Sequence, residues 1–142
     1  MYDEILFPTD GSEASKRTFP HAVSQAEAFD ARVHVLYVVN TTYAGVGAGG
    51  GKNVNSLRAE GEEVTEEFER RLRDEDVEVI TRIEDGDPHT EITRYADGEA
   101  DMIVMGTRGR SGIEKYLLGS VTEKVVRTAD VPVFTVRTPE SE

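Results

Sequence analysis

The sequence contains no cysteine and no tryptophan among its 142 residues. The first absence excludes disulfides, thiolate nucleophiles and thiolate-ligated zinc or iron–sulfur centres. Stability must therefore come from packing, and any chemistry from oxygen and nitrogen groups. No uninterrupted apolar run approaches the roughly 20 residues of a membrane-spanning helix, and the start Met1-Tyr2-Asp3-Glu4 is acidic where a secretory leader is basic. A cytoplasmic protein with no membrane partner is expected. Positive charge is also scarce: 16 basic residues face 28 acidic ones, for a formal net charge of −12. Such a field repels phosphate backbones and argues against nucleic acid as a partner. Only four of the basic residues are lysines (Lys16, Lys52, Lys115 and Lys124), the acidic and lysine-poor balance that a high-salt, halophilic cytoplasm favours.

What is present suffices for one packed domain. Hydrophobic residues make up 37% of the chain, far from the composition of disordered proteins. The expected domain covers residues 1–138, with 139–142 a short C-terminal tail. Ile5-Leu6-Phe7-Pro8 reads as a short strand, followed by the turn Thr9-Asp10-Gly11-Ser12, in which Ser12 can cap a helix. Phe19, Ala22, Val23 and Ala26 form one helical stripe, and Pro20 within it predicts a kink near residues 16–20. Val33 to Val39 is nearly continuous and β-branched, as a strand covered on both faces should be. Leu57, Gly61, Val64, Phe68 and Leu72 then mark an amphipathic helix. Val77 to Ile83 is a third strand, with Glu84-Asp85-Gly86 as its turn. Asp87 and Pro88 open a third helix with Ile92, Tyr95 and Ala96 inward, and Gly98 is placed to end it in a left-handed cap. Met102 to Met105, Val121 to Thr128 and Val131 to Val136 supply strand four, helix four and strand five, the proline of the last suiting an edge.

Five strands separated by four helical segments predict an α/β fold: a single, doubly wound, open parallel sheet with right-handed crossovers. Ligands of such sheets settle beyond the carboxyl ends of the strands, where the winding reverses. Two glycine patterns lie in that region. Gly45-Val46-Gly47-Ala48-Gly49-Gly50 matches G-x-G-x-x-G, but Asn40 to Ala44 separate it from its strand, so a glycine-rich loop is the simpler reading. Gly106-Thr107-Arg108-Gly109 follows strand four without a gap, and Gly119-Ser120 opens helix four. Backbone N–H groups from both pieces can converge on phosphates at a helix N-terminus, with Arg108 and Arg110 adding local positive charge.

Pro8-Thr9-Asp10-Gly11-Ser12, Gly86-Asp87-Pro88, and above all Met105-Gly106-Thr107-Arg108-Gly109 with Gly119-Ser120-Val121-Thr122 resemble the universal stress proteins of the ATP-binding subtype, over essentially the whole chain. The resemblance implies strand order 3-2-1-4-5, a homodimer joined along strand five (Val131, Val133, Phe134, Val136), and an adenine nucleotide across the ends of strands one, two and four. It places Asp10 against the ribose or adenine and has the backbone of Val38 or a neighbour read the adenine edge. Gly106, Arg108, Gly109, Gly119, Ser120 and Val121 would hold ribose and phosphates, and Pro8, Thr9, Met105 and Thr122 belong to the same motifs. The implied role is that of a dimeric stress-response switch that binds ATP, or AMP or ADP, with at most slow hydrolysis.

Alternatives remain open at this level. Asp10 can be a turn former bonding neighbouring amides, or a ribose ligand that also helps hold Mg²⁺ or Mn²⁺ beside a triphosphate. No catalytic residue stands out: the P-loop and nucleophile-elbow patterns are absent, and His21, His34 and His89 form no ligand pair. A nucleotide-free interaction module of the same fold fits the same residues. So does a phospho-accepting receiver domain using Asp10 and Thr107, though it would lack the usual acidic pair and carries Arg137 where a lysine is wanted.

Overall fold

A computed structural model describes residues 1–41, 53–107 and 119–137. The described elements are β1 (Glu4–Pro8), α1 (Glu13–Phe29), β2 (Arg32–Asn40), α2 (Val54–Asp74), β3 (Val79–Gly86), α3 (Pro88–Glu99), β4 (Met102–Gly106), α4 (Ser120–Thr128) and β5 (Val133–Val136). All strand pairs are parallel, in the order β3-β2-β1-β4-β5. This is the expected order. It excludes the receiver reading, because receiver domains wind their sheet as 2-1-3-4-5.

Parallel strands buried on both faces need apolar side chains at consecutive positions. Ile5, Leu6 and Phe7 of the central strand are fully buried. Ile5 and Phe7 point toward α1 and α2, where Phe19, Ala22, Ala26, Phe68 and Leu72 complete one core. Leu6 points to the other side, with Leu36, Ile103, Met105, Ile92, Ala96 and Val125 under α3 and α4. Phe7, Phe19 and Phe68 meet with ring centroids 4.7–5.7 Å apart, two of the pairs edge to face. Gly61 lets α2 lie close on β2, since a Cβ there would stand 2.6 Å from the Tyr37 ring.

Several local expectations are corrected. β3 does not turn at Glu84-Asp85-Gly86 but continues through them, because β2 runs on to Asn40 and supplies ladder partners as far as Gly86. Val64 of α2 packs partly buried against the core as expected, and Thr65 beside it is buried as well; the Thr65 hydroxyl donates to the Gly61 carbonyl at 2.9 Å, so its burial costs no unmet polar group. Gly98 lies inside α3, which ends instead on an extended Ala100 whose N–H donates to the Ala96 carbonyl. β5 begins at Val133, and the Pro132 carbonyl just before it accepts from the Ile103 N–H at 2.9 Å. α1 runs unbroken through Pro20, which is exposed, so water can serve the Lys16 carbonyl that proline leaves without its helical donor.

Candidate functional site

The carboxyl ends of β1, β2 and β4 lie side by side. Pro8 pairs with Leu36, and the Thr9 N–H extends that ladder by donating to the Leu36 carbonyl at 2.9 Å. The turn after β1 is held by its own side chains. Thr9 is buried, its hydroxyl meets the Ser15 hydroxyl and accepts from the Gly11 N–H at 3.1 Å. Asp10 accepts from the Ser12 N–H at 2.9 Å through Oδ1, while Ser12 caps α1 by accepting from the Ser15 N–H. Gly11 has φ +79°, which an L side chain adopts only under strain. The turn-forming role of Asp10 is thus realised in its bond to the Ser12 N–H. Val38 is the one partly exposed apolar residue within β2, opposite Glu84 of β3.

The β4 end meets the N-terminus of α4. Met105 is buried and Gly106 is partly exposed. Gly119 caps α4 with no side-chain hydrogen bond, unlike Ser12, Asn53 and Asp87, whose side chains cap α1, α2 and α3. The first intrahelical bond of α4 runs from the Glu123 N–H to the Gly119 carbonyl at 2.9 Å. The N–H groups of Ser120, Val121 and Thr122 therefore precede the helical ladder and carry the positive end of the helix dipole. Ser120 is exposed, Val121 partly so. Thr122 is buried and its hydroxyl donates to the Gly106 carbonyl at 2.8 Å, while the Gly119 N–H donates to the Thr107 carbonyl at 2.5 Å. These two bonds pin the helix start to the strand end.

The structure thus brings Pro8, Thr9 and Asp10, Val38, Met105 and Gly106, and Gly119 to Thr122 to one end of the sheet. Arg108, Gly109 and Arg110, like the Gly45–Gly50 pattern and the 139–142 tail, lie outside the described residues. Thr107 was not singled out as a binding residue, although it stands inside the quoted glycine motif and bonds both Val136 and Gly119. Two shallow hollows, of about 410 and 240 Å³, lie elsewhere, on the outer surface of α2 and between α1 and α2. The first is lined by Glu67, Arg70, Arg71, Arg73 and Asp74, solvated charges on an open surface rather than an enclosure.

Two of the histidines have partners within the fold. His34 is buried at the opposite end of the sheet, with Nε2 2.5 Å from Glu4 and Nδ1 2.7 Å from the Tyr95 hydroxyl, and His89 pairs with Asp87 at 2.6 Å. Among the described residues no three His, Asp or Glu side chains converge as a metal site, and no helix is long and apolar enough to cross a membrane.

Comparison with known proteins agrees with this architecture. Residues 1–137 match the universal stress protein family. Universal stress protein MJ0531 of Methanocaldococcus jannaschii is 38% identical over 146 residues, covering 100% of this chain and 86% of its own. The solved structure of MJ0577 superposes with a TM-score of 0.85 at 33% identity, over 99% of both chains. A universal stress protein solved in complex with cAMP has a TM-score of 0.69 and 26% identity, over 96% of this chain and 97% of that one. The chain belongs to the universal stress protein family.

Proposed function

We propose, with membership of the universal stress protein family as the premise, that this protein binds an adenine nucleotide at the carboxyl ends of β1, β2 and β4. ATP is the foremost candidate, with ADP or AMP as related occupants, and the bound protein works as a homodimeric switch in stress adaptation in the cytoplasm. The supporting observation is the N-terminus of α4: a glycine cap without a side-chain bond, three N–H groups ahead of the helical ladder, and a start fastened to the end of β4. That is the donor set a phosphate requires, supplied by backbone where the side chains carry a net charge of −12.

In this reading Gly119, Ser120, Val121 and Thr122 take the phosphates, with Arg108 and Gly109 contributing from their sequence positions. Gly106 and Met105 border the ribose. Asp10 accepts from ribose hydroxyls, held in place by its bond to the Ser12 N–H. Pro8 and Thr9 set that turn, and the partly exposed Val38 offers its backbone to the adenine edge. A universal stress protein with bound cAMP among the solved relatives supports an adenine nucleotide as the ligand class. With no cluster of metal-ligating side chains among the described residues, Mg²⁺ or Mn²⁺ would be held chiefly by the phosphates, Asp10 being its candidate protein ligand. Hydrolysis is slow at most, since the sequence carries neither a P-loop lysine nor a nucleophile elbow.

Self-association uses β5. Among the described residues this four-residue strand pairs with β4 alone, and its Phe134 is 39% exposed beside partly exposed Val131 and Val133. An apolar sheet edge of this kind is hidden by pairing with its two-fold mate.

Native mass spectrometry of protein purified without added nucleotide, followed by calorimetry with ATP, tests the proposal. A dimer carrying adenine nucleotide mass, with a dissociation constant on the order of micromolar (about −8 kcal/mol), is expected. A bare dimer that takes up no ATP at millimolar concentration would overturn it in favour of a nucleotide-free interaction module.

A further inference from the structure

The peptide group between Gly106 and Thr107 joins the N-terminus of α4 to the edge of the sheet. Its carbonyl oxygen accepts from the buried Thr122 hydroxyl at 2.8 Å. Its N–H, that of Thr107, donates to the Val136 carbonyl at 2.9 Å. Val136 is the last residue of β5 and the register partner of Gly106. One amide therefore carries a continuous hydrogen-bond chain from the first turn of α4, through β4, to β5. The bond from the Gly119 N–H to the Thr107 carbonyl, at 2.5 Å, fastens the helix cap to the next carbonyl along. An amide that accepts on one side donates more strongly on the other, a strengthening on the order of 10–30% per bond.

From this arrangement we infer that Thr122 is a positioning residue whose hydroxyl couples phosphate occupancy at the start of α4 to the attachment of β5, and through β5 to self-association. The inference rests on the nucleotide reading above. The backbone N–H of Thr122 lies in the turn that an anion would hold, while its side chain grips Gly106. Without an anion, a helix start whose cap glycine makes no side-chain bond frays readily. With one, the turn is fixed, the Thr122–Gly106 bond persists, and the Thr107–Val136 bond closes more of the time. β5 feels this strongly because it has four residues and, among the described residues, a single strand neighbour. Coupling of this kind is reciprocal, so a paired β5 must tighten nucleotide binding by the same factor.

The test is hydrogen exchange of the full chain with and without ATP, read on peptides spanning 102–107 and 133–137, together with sedimentation. In the wild type, ATP should slow exchange in both peptides and lower the dimer dissociation constant by about fivefold, the lower end of ordinary coupling. Thr122→Val, close in shape but without the donor, should bind ATP less tightly and, at saturating ATP, lose both responses; Thr122→Ser should restore them. A purely structural hydroxyl would instead raise exchange equally with and without ATP. If the wild type binds ATP by calorimetry but neither peptide responds, or if Thr122→Val responds as the wild type does, the coupling is wrong while the nucleotide reading stands. If the wild type binds no ATP, both fall. Should Thr122→Val not fold, the wild-type exchange and Thr122→Ser decide.

Discussion

The two ends of the sheet finish in different chemistry. At the amino end, side chains close the structure. Asp101 accepts from the N–H groups of Asp3 and Glu4 at 3.0 Å each, and Glu4 takes two bonds from Arg32, at 3.0 and 2.9 Å. Glu4 also meets His34, whose other ring nitrogen meets the Tyr95 hydroxyl, tying β1, β2 and α3 together. The Arg32 guanidinium holds the Glu4 carboxyl below its ordinary value, and burial pushes the Tyr95 hydroxyl up. At the carboxyl end, side chains of Thr9, Asp10, Ser12 and Ser15 hold the turn after β1, whereas the junction of β4, α4 and β5 is bonded mainly through backbone atoms of Gly106, Thr107, Gly119 and Val136, with the Thr122 hydroxyl donating to Gly106. An end closed by matched charges has nothing left to offer an anion. A helix start with N–H groups ahead of its ladder does, so binding is expected at the carboxyl end and stability at the amino end.

The largest expected effect comes from blocking the backbone donors. Gly119→Val puts a branched side chain where an anion must approach, and calorimetry should show ATP affinity reduced by at least 100-fold, about 2.7 kcal/mol, with an unchanged circular dichroism spectrum. Retained affinity would remove the phosphate assignment.

The counterpart at the amino end is Glu4→Ala, which should lower the melting temperature by roughly 3–6 °C and leave ATP affinity within about twofold. Its pH dependence has a definite sign. A carboxyl held below its ordinary value of 4.5 contributes stability that is fully present above that value and lost as pH falls through the lower native one. The melting difference between wild type and variant should therefore be widest above about pH 5 and close as the solution becomes more acidic. A gap that grows with acid would contradict the Glu4–Arg32 arrangement.

Asp10→Ala is intermediate. Losing one acceptor to the ribose, while Ser12 still caps α1, should weaken ATP binding by roughly fivefold to tenfold at little cost in stability. An unchanged affinity would remove Asp10 from the nucleotide site and leave it a turn former.

Salt should move binding least. With 28 acidic residues against 16 basic ones, added KCl screens self-repulsion and should raise the melting temperature steadily. If backbone geometry rather than exposed cations holds the phosphates, ATP affinity should fall less than about tenfold between low and molar KCl. A melting curve indifferent to KCl would remove the high-salt reading.

The carboxyl end was more legible in the sequence than the amino end, for a physical reason. Gly106 and Gly119 sit at the junctions of a strand and a helix, and such junctions are local, so their spacing shows where backbone can approach an anion. The order of the elements followed from periodicity in the same way. The amino-end cluster joins Glu4 to His34 and to Arg32 across about thirty positions, and His34 to Tyr95 across sixty-one, contacts that no local pattern encodes. The extent of β3 was missed similarly: Glu84-Asp85-Gly86 has turn composition, but Val38, Val39 and Asn40 lie alongside as strand partners. Thr65 was overlooked because a hydroxyl reads as polar until its bond to the Gly61 carbonyl is seen. Pro20 misled because an exposed proline leaves its unmet carbonyl to water.

Amide NMR during titration with ATP and, separately, adenosine tests the contrast between the two ends most directly. ATP should shift the backbone resonances of Gly119, Ser120, Val121 and Thr122 strongly, adenosine should move these far less, and Glu4, Arg32 and Tyr95 should stay still with both. Phosphate-dependent shifts at Glu4, Arg32 and Tyr95, or a silent α4 N-terminus in the presence of saturating ATP, would contradict it.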